Sequence, residues 1–164
     1  MPKRIFYPEL IFLTIAALFT RMWNLAVPST VVFDEAHFGL YASKYLSHAF
    51  YFDIHPPLGK LLLGFMAWVG GGMPGFDFQA GASFGDFPYV ALRLLPALSG
   101  ALLVPLAYVV MRQLGFSRTA AFLAGFLVLF ENALLLQSRL ILLDTMMMLF
   151  IFLAFSLFLL SRKA

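Results

Sequence analysis

Two short runs hold most of the residues in this chain that could do chemistry: Phe33-Asp34-Glu35-Ala36-His37-Phe38-Gly39 and Tyr51-Phe52-Asp53-Ile54-His55-Pro56-Pro57-Leu58-Gly59-Lys60. The first sets two carboxyl groups side by side, and a placed carboxylate can take a proton from a reacting hydroxyl. Asp is also a favoured helix N-cap, so Asp34 has a purely local reading as well. In the second run Pro56 and Pro57 stop any preceding helix, while Gly59 permits an unusual turn. The effect is to hold Asp53, His55 and Lys60 in a stiff segment, and a Pro-rich turn leading into a helix is the plainer account of the same residues. Asp34-Glu35-Ala36-His37 also matches an acidic box of nucleotide-driven helicases. No Gly-rich phosphate loop with Lys-Ser/Thr precedes it, which removes that reading.

The elements that position these runs belong to a membrane protein. Of the 164 residues 62% are hydrophobic and 12% charged, with twenty Phe and eight Met. Soluble domains carry roughly 25% charged residues, so lipid must be the solvent for much of this surface. The net charge of +3 is dispersed and gives no basic stripe for nucleic acid. The absence of Cys excludes disulfides and thiolate metal sites.

Apolar stretches predict four membrane spans, at about 5–27, 89–111, 118–136 and 140–160, with a polar loop over 28–88. A cleaved signal peptide competes for the first, since Lys3 and Arg4 precede it. Arg21, Trp23 and Asn24, however, suit an interfacial anchor of a retained helix. Within the loop, His37, Tyr41, Lys44 and His48 recur at helical spacing after Asp34 and predict an amphipathic helix on the membrane surface. Leu61–Val69 is too short to span and ends at three glycines, which predicts an interfacial or re-entrant helix. Polar breaks at Glu131-Asn132 and at Gln137-Ser138-Arg139 divide the last two spans.

An inner N-terminus gathers Lys3, Arg4, Arg112, Arg118, Arg162 and Lys163 on one side, as the positive-inside bias favours. The acidic loop then faces the outer or lumenal side. Arg93, Arg139 and Asp144 lie at membrane depth, where a charge costs a few kcal/mol and is read as functional by default. Their places near helix ends allow snorkelling, and Arg139 with Asp144 allows a structural pair.

Taken in order, the two loop runs, Arg93-Leu94-Leu95-Pro96, and Glu131-Asn132-Ala133 through Gln137-Ser138-Arg139 and Leu143-Asp144 resemble the N-terminal part of protein O-mannosyltransferases. The resemblance covers nearly the whole chain. It implies an all-α integral membrane fold of the GT-C type, and transfer of mannose from a polyprenyl (dolichyl) phosphate-mannose lipid to Ser or Thr of proteins. It further implies inversion at the sugar carbon and no bound metal or other cofactor. The membrane would be that of the endoplasmic reticulum or a bacterial or archaeal cell.

Carried over by residue, Asp34 matches the catalytic base, Glu35 its partner at the acceptor, and Arg93 the arginine at the donor phosphate. Lys60 and Arg139 are further candidates for that phosphate, and Asp53 and His55 support the loop. A leaving lipid phosphate gains negative charge, which a pre-placed cation stabilises, and a guanidinium fork can bind it bidentately. The family's chains continue with more helices, so a portion of an enzyme, with a full-length relative or dimer partner, is the expected context. A related enzyme moving another polyprenyl-linked sugar, or a non-catalytic membrane subunit, are the rival readings.

Overall fold

A computed structural model describes residues 7–162 of the chain. Among them are seven helices and no strand: α1 (Pro8–Met22), α2 (Glu35–Leu46), α3 (Pro57–Val69), α4 (Tyr89–Gln113), α5 (Arg118–Phe130), α6 (Asn132–Gln137) and α7 (Asp144–Ser161). Lys3, Arg4, Lys163 and the first two residues of the expected span at 5–27 lie outside the described residues.

α4 is the hub, packed against α1, α3, α5 and α7. It and α7 are the two described helices long and apolar enough to cross a membrane, with 25 and 18 residues and hydropathies of 2.1 and 2.0. At ~1.5 Å rise per residue they reach about 37 and 27 Å, against a hydrocarbon core of roughly 30 Å. Pro96 and Pro105 sit inside α4. Membrane helices tolerate such breaks, and Thr145 of α7 ties itself to this stretch by donating from Oγ1 to the Pro96 carbonyl at 3.1 Å.

Two expected elements differ in their bounds. α1 has 15 residues and ends at Met22, well before residue 27. The stretch 118–136, expected as one helix, is broken: the Glu131 backbone turns extended, and its carboxylate caps α6 by accepting from the Ala133 and Leu134 amides. A carboxylate at that point satisfies the orphan amides of a new helix better than it could lie inside an apolar one. α7 accordingly starts at Asp144, and 138–143 form a connection.

Residues 28–88 build a layer over one end of these helices. α2 starts at the Asp34-Glu35 step and α3 stops at Gly70, as the pattern predicts. Instead of lying alone on a surface, α2 packs on α3. The contact is close because Gly64 has no side chain; a Cβ there would meet Tyr45 at 3.1 Å. The segment 70–88 then folds back over α2. Thr30 and Ser83 form an isolated antiparallel bridge, and Phe76, Phe78, Phe84 and Phe87 cluster edge-to-face and stacked. Phe78 seats directly on Gly39, where a Cβ would stand 2.1 Å from its ring.

This layer shares a core with Leu92 of α4, with Ile141 and Leu142 of the connection before α7, and with Met146 in the first turn of α7. A second core joins α1, α4 and α5 around Leu13, Val104, Tyr108 and Leu129. At its far end Glu9 accepts from Arg118 at 2.7 and 2.8 Å and from Tyr108 at 2.7 Å.

Candidate functional site: the Asp34-Glu35 step and its cations

Asp34 occupies the N-cap position of α2, yet its side chain makes no capping hydrogen bond. The carboxylate is half-buried and no hydrogen bond to it is formed within the described residues. The local-cap reading therefore does not account for this residue. Phe33, immediately before it, holds φ at 51° and is 69% exposed. A bulky residue in the left-handed region is strained by of order 1–3 kcal/mol, and such strain clusters at functional positions. Here it sets the direction in which the chain enters α2, and so the direction of Asp34.

Glu35 turns the opposite way and is fully buried, as is Arg93 of α4. The two form a bidentate pair, Arg93 Nε to Oε1 at 2.7 Å and Nη2 to Oε2 at 2.8 Å. The Ile141 amide donates to Oε1 at 3.0 Å and the Val32 amide to Oε2 at 3.1 Å. Arg93 Nη1 donates to the carbonyls of Pro28 at 2.7 Å and Leu25 at 3.2 Å. The guanidinium is also flanked by the rings of Phe84 and Tyr89, 5.3 and 4.9 Å from their centroids. Burial of such a pair is tolerated when the remaining donors and lone pairs are met; here each carboxylate oxygen accepts two hydrogen bonds and four of the five guanidinium N–H groups donate one.

Arg93, expected at the donor phosphate, is fully buried and directs its fork to Glu35 and two carbonyls. Glu35, expected beside the acceptor, accepts two hydrogen bonds at each oxygen from within the chain. Together they lock the residues on either side of Asp34 to α4 and to the connection before α7.

Lys60 is likewise committed. Its Nζ donates to Asp53 Oδ2 at 2.6 Å and to the His55 carbonyl at 2.9 Å, and it stands 5.5 Å from the centroids of the stacked Tyr41 and Tyr51 rings. Asp53 and Lys60 side chains are only 6% and 5% exposed. Burial acts to raise the Asp53 carboxyl, but hydrogen bonds from Lys60 and His55 outweigh it and hold it well below the usual carboxylate range. His55 donates from Nδ1 to that carboxylate at 3.0 Å. The ring stays half exposed and meets Phe38 of α2 edge-on at 5.3 Å.

Arg139 keeps capacity to spare. It is half-buried and caps the end of α1, donating from Nη1 to the Thr20 carbonyl at 3.0 Å and from Nη2 to the Asn24 carbonyl at 3.2 Å. No hydrogen bond from its Nε forms within the described residues. Asp144, the first residue of α7, is half-buried and makes no pair with Arg139.

Arg21 escaped the sequence reading, which placed it at an interface beside Trp23. It is 1% exposed and donates to the Val128 and Leu129 carbonyls at the end of α5, at 3.2 and 3.1 Å. The available signal was an arginine in an apolar helix with no carboxylate at i±3 or i±4. Arg21 and Arg139 thus tie together the ends of α1 and α5 and the connection before α7. No group of three or more His, Cys, Asp or Glu among the described residues is arranged to hold a metal ion.

Comparison with known proteins identifies this assembly. Residues 11–164 match the family model described as dolichyl-phosphate-mannose-protein mannosyltransferase. The chain is 42% identical over 151 residues to dolichyl-phosphate-mannose–protein mannosyltransferase 4 of Candida albicans, covering 90% of this chain and 20% of that protein. It is 45% identical over 149 residues to protein O-mannosyl-transferase 1 of Mus musculus, covering 89% and 20%. Among solved structures it is similar to the Saccharomyces cerevisiae protein O-mannosyltransferase Pmt1–Pmt2 complex bound to the sugar donor, with a TM-score of 0.89 and 37% identity over 96% of this chain and 22% of that one. The chain therefore spans about a fifth of the length of the relatives it matches. With an all-helical fold and family-wide identity on its side, the chain belongs to the dolichyl-phosphate-mannose–protein mannosyltransferase family.

Proposed function

We propose that this chain carries the acid–base part of a mannosyl-transfer site, moving mannose from a polyprenyl phosphate-mannose lipid to a Ser or Thr hydroxyl. The single observation that supports it best is the contrast at one step in sequence. Asp34 presents a carboxylate with no internal partner, while its neighbour Glu35 is saturated and buried. In the transfer the hydroxyl oxygen bonds to the sugar's C1 from the face opposite the phosphate, and the C1–O bond to phosphate breaks. The hydroxyl proton passes to Asp34, and the lipid phosphate leaves with the bonding electrons. Asp34 works as a base only when fixed against that hydroxyl. Glu35 and Arg93 serve as positioning residues that fix it. Arg139, with donors uncommitted at the same end of the bundle, is the candidate cation for the phosphate.

The reading includes a multi-pass chain. α1, α4, α5 with α6, and α7 would cross the membrane, with residues 28–88 on the outer or lumenal face. α7 supports it by exposing Met147, Phe150, Ile151, Phe155 and Phe158, surface suited to lipid, to later helices of a longer chain, or to a partner subunit.

The test is transfer of labelled mannose from dolichyl phosphate-mannose to a Ser/Thr peptide by membranes containing the protein. Asp34→Asn should lower the rate by about 10²–10⁴-fold with the melting temperature unchanged. Equal rates for Asp34→Asn and the parent would remove the proposal and leave a non-catalytic subunit.

A further inference from the structure

The loop that joins α2 to α3 faces two ways. Inward, Tyr51 stacks on Tyr41 of α2 with ring centroids 4.6 Å apart, and Asp53 accepts from Lys60 of α3 at 2.6 Å. Outward, the alternate residues Phe50, Phe52 and Ile54 are 93%, 82% and 84% exposed. Contiguous apolar surface of this kind marks a face for a protein or a membrane.

The charges of the loop favour hydrocarbon as its surroundings. Asp53 and Lys60 are the only Asp, Glu, Lys or Arg from 50 to 69. At a water-facing surface a Lys extends its ammonium into solvent, but here both partners turn inward and neutralise each other below the surface. His55, half exposed and bonded to the same carboxylate, is the polar exception on the rim.

The patch is also continuous with a candidate span. Pro56 and Leu58 line one groove with Met147, Phe150 and Ile151 of α7, and Phe50, Phe52 and Pro57 line the adjoining hollow beside Lys60. With 18 residues α7 reaches about 27 Å, so its two ends lie close to the limits of a hydrocarbon core of roughly 30 Å. Met147 stands in the first turn of α7, which puts Leu58 and the neighbouring loop tip at one edge of that core. Along α3 the exposed side continues through Leu61, Phe65 and Trp68, spaced as one helical face.

Resting on the multi-pass reading, we infer that residues 50–54 form a wedge that dips into the outer or lumenal leaflet. Phe50, Phe52 and Ile54 lie among acyl chains, and the Asp53–Lys60 pair closes the base of the wedge. Because Tyr51 and Asp53 fasten it to α2 and α3, the wedge fixes the height above the bilayer of the layer whose first helix begins beside Asp34.

The chain has no Cys, so single cysteines can carry a nitroxide at chosen exposed positions. In phosphatidylcholine proteoliposomes, collisions with oxygen report hydrocarbon and collisions with a water-soluble nickel chelate report water. Labels on Phe52→Cys and Ile54→Cys should favour oxygen severalfold, as should one on Phe150→Cys of α7. A label on Asp86→Cys, exposed on the same layer, should favour the chelate. Chelate access at 52 and 54 equal to that at 86 overturns the inference and puts the loop in water. Shielding from both reagents also overturns it, and is the result expected if a second copy or later helices of a longer chain cover the patch. Chelate access at 150 removes the multi-pass reading and the wedge together, whereas oxygen at 150 with chelate at 52 removes the wedge alone.

Discussion

Replacing Glu35 with Gln tests the buried pair most directly. In the parent, Oε1 accepts from Arg93 Nε and the Ile141 amide, and Oε2 accepts from Arg93 Nη2 and the Val32 amide. An amide keeps one acceptor oxygen and gains an NH₂ group. Whichever way it turns, that NH₂ confronts one Arg93 N–H and one backbone N–H. A hydrogen bond involving a charge contributes about 1.5–3 kcal/mol, and a stranded buried donor costs about 1–3 kcal/mol. The sum, about 3–5 kcal/mol, matches the usual cost of removing one member of a buried ion pair. For a chain of this size about 4 kcal/mol corresponds to a fall in Tm of roughly 8–16 °C.

The assay is thermal unfolding in detergent or nanodiscs, run as a double-mutant cycle with Arg93→Met. The double variant should lose less than the sum of the singles, with a coupling of about 2 kcal/mol. A Glu35→Gln protein melting within about 3 °C of the parent, or strictly additive singles, would refute the proposition that this pair anchors the loop.

Other expectations follow from the same contacts. Arg93→Lys should be nearly as unstable as Arg93→Met, because an ammonium cannot reproduce the two-pronged contact with Glu35; circular dichroism melts decide it. Arg139→Gln should raise the KM for the lipid donor about tenfold or more, with Tm shifted by only a few degrees; an unchanged donor KM would remove Arg139 from the phosphate. Gly39→Ala puts a methyl group 2.1 Å from the Phe78 ring and should cost about 1–3 kcal/mol by overpacking, read by urea or thermal unfolding. Because the folded Asp53 carboxyl is held below its ordinary value, its contribution to stability is present above about pH 4 and is lost as pH falls further. Proteolytic protection of residues 47–56 should therefore be level from pH 5 to 8 and decline below pH 4, and Lys60→Met should move that decline to higher pH.

The membrane class, the starts of α2 and α4 and the end of α3 were legible because each follows from a local signal. An apolar run, an Asp-Glu step, a Pro and a Gly cluster act over a few residues. The partner of Arg93 was not legible. A charge at membrane depth is read as functional when no partner is visible in sequence, and the partner of Arg93 lies 58 residues away in another element. Glu35 shows the same limit from the other side, since two of its four donors are backbone amides that no side-chain pattern announces. Glu131 was seen as a polar break but not as the cap of a separate helix, because its effect depends on the turn of its own backbone.

The bond from the Ile141 amide to Glu35 joins positions 106 residues apart. Contacts of such long range form late, after the entropy of closing the intervening chain has been met. During synthesis the Asp34 loop would therefore be complete before the residue that finishes its anchor has left the ribosome. Until then a buried carboxylate would lack a donor and the loop would sample other arrangements. Assembly order thus becomes a safeguard: a chain interrupted before Ile141 would display the right residues without the geometry to use them.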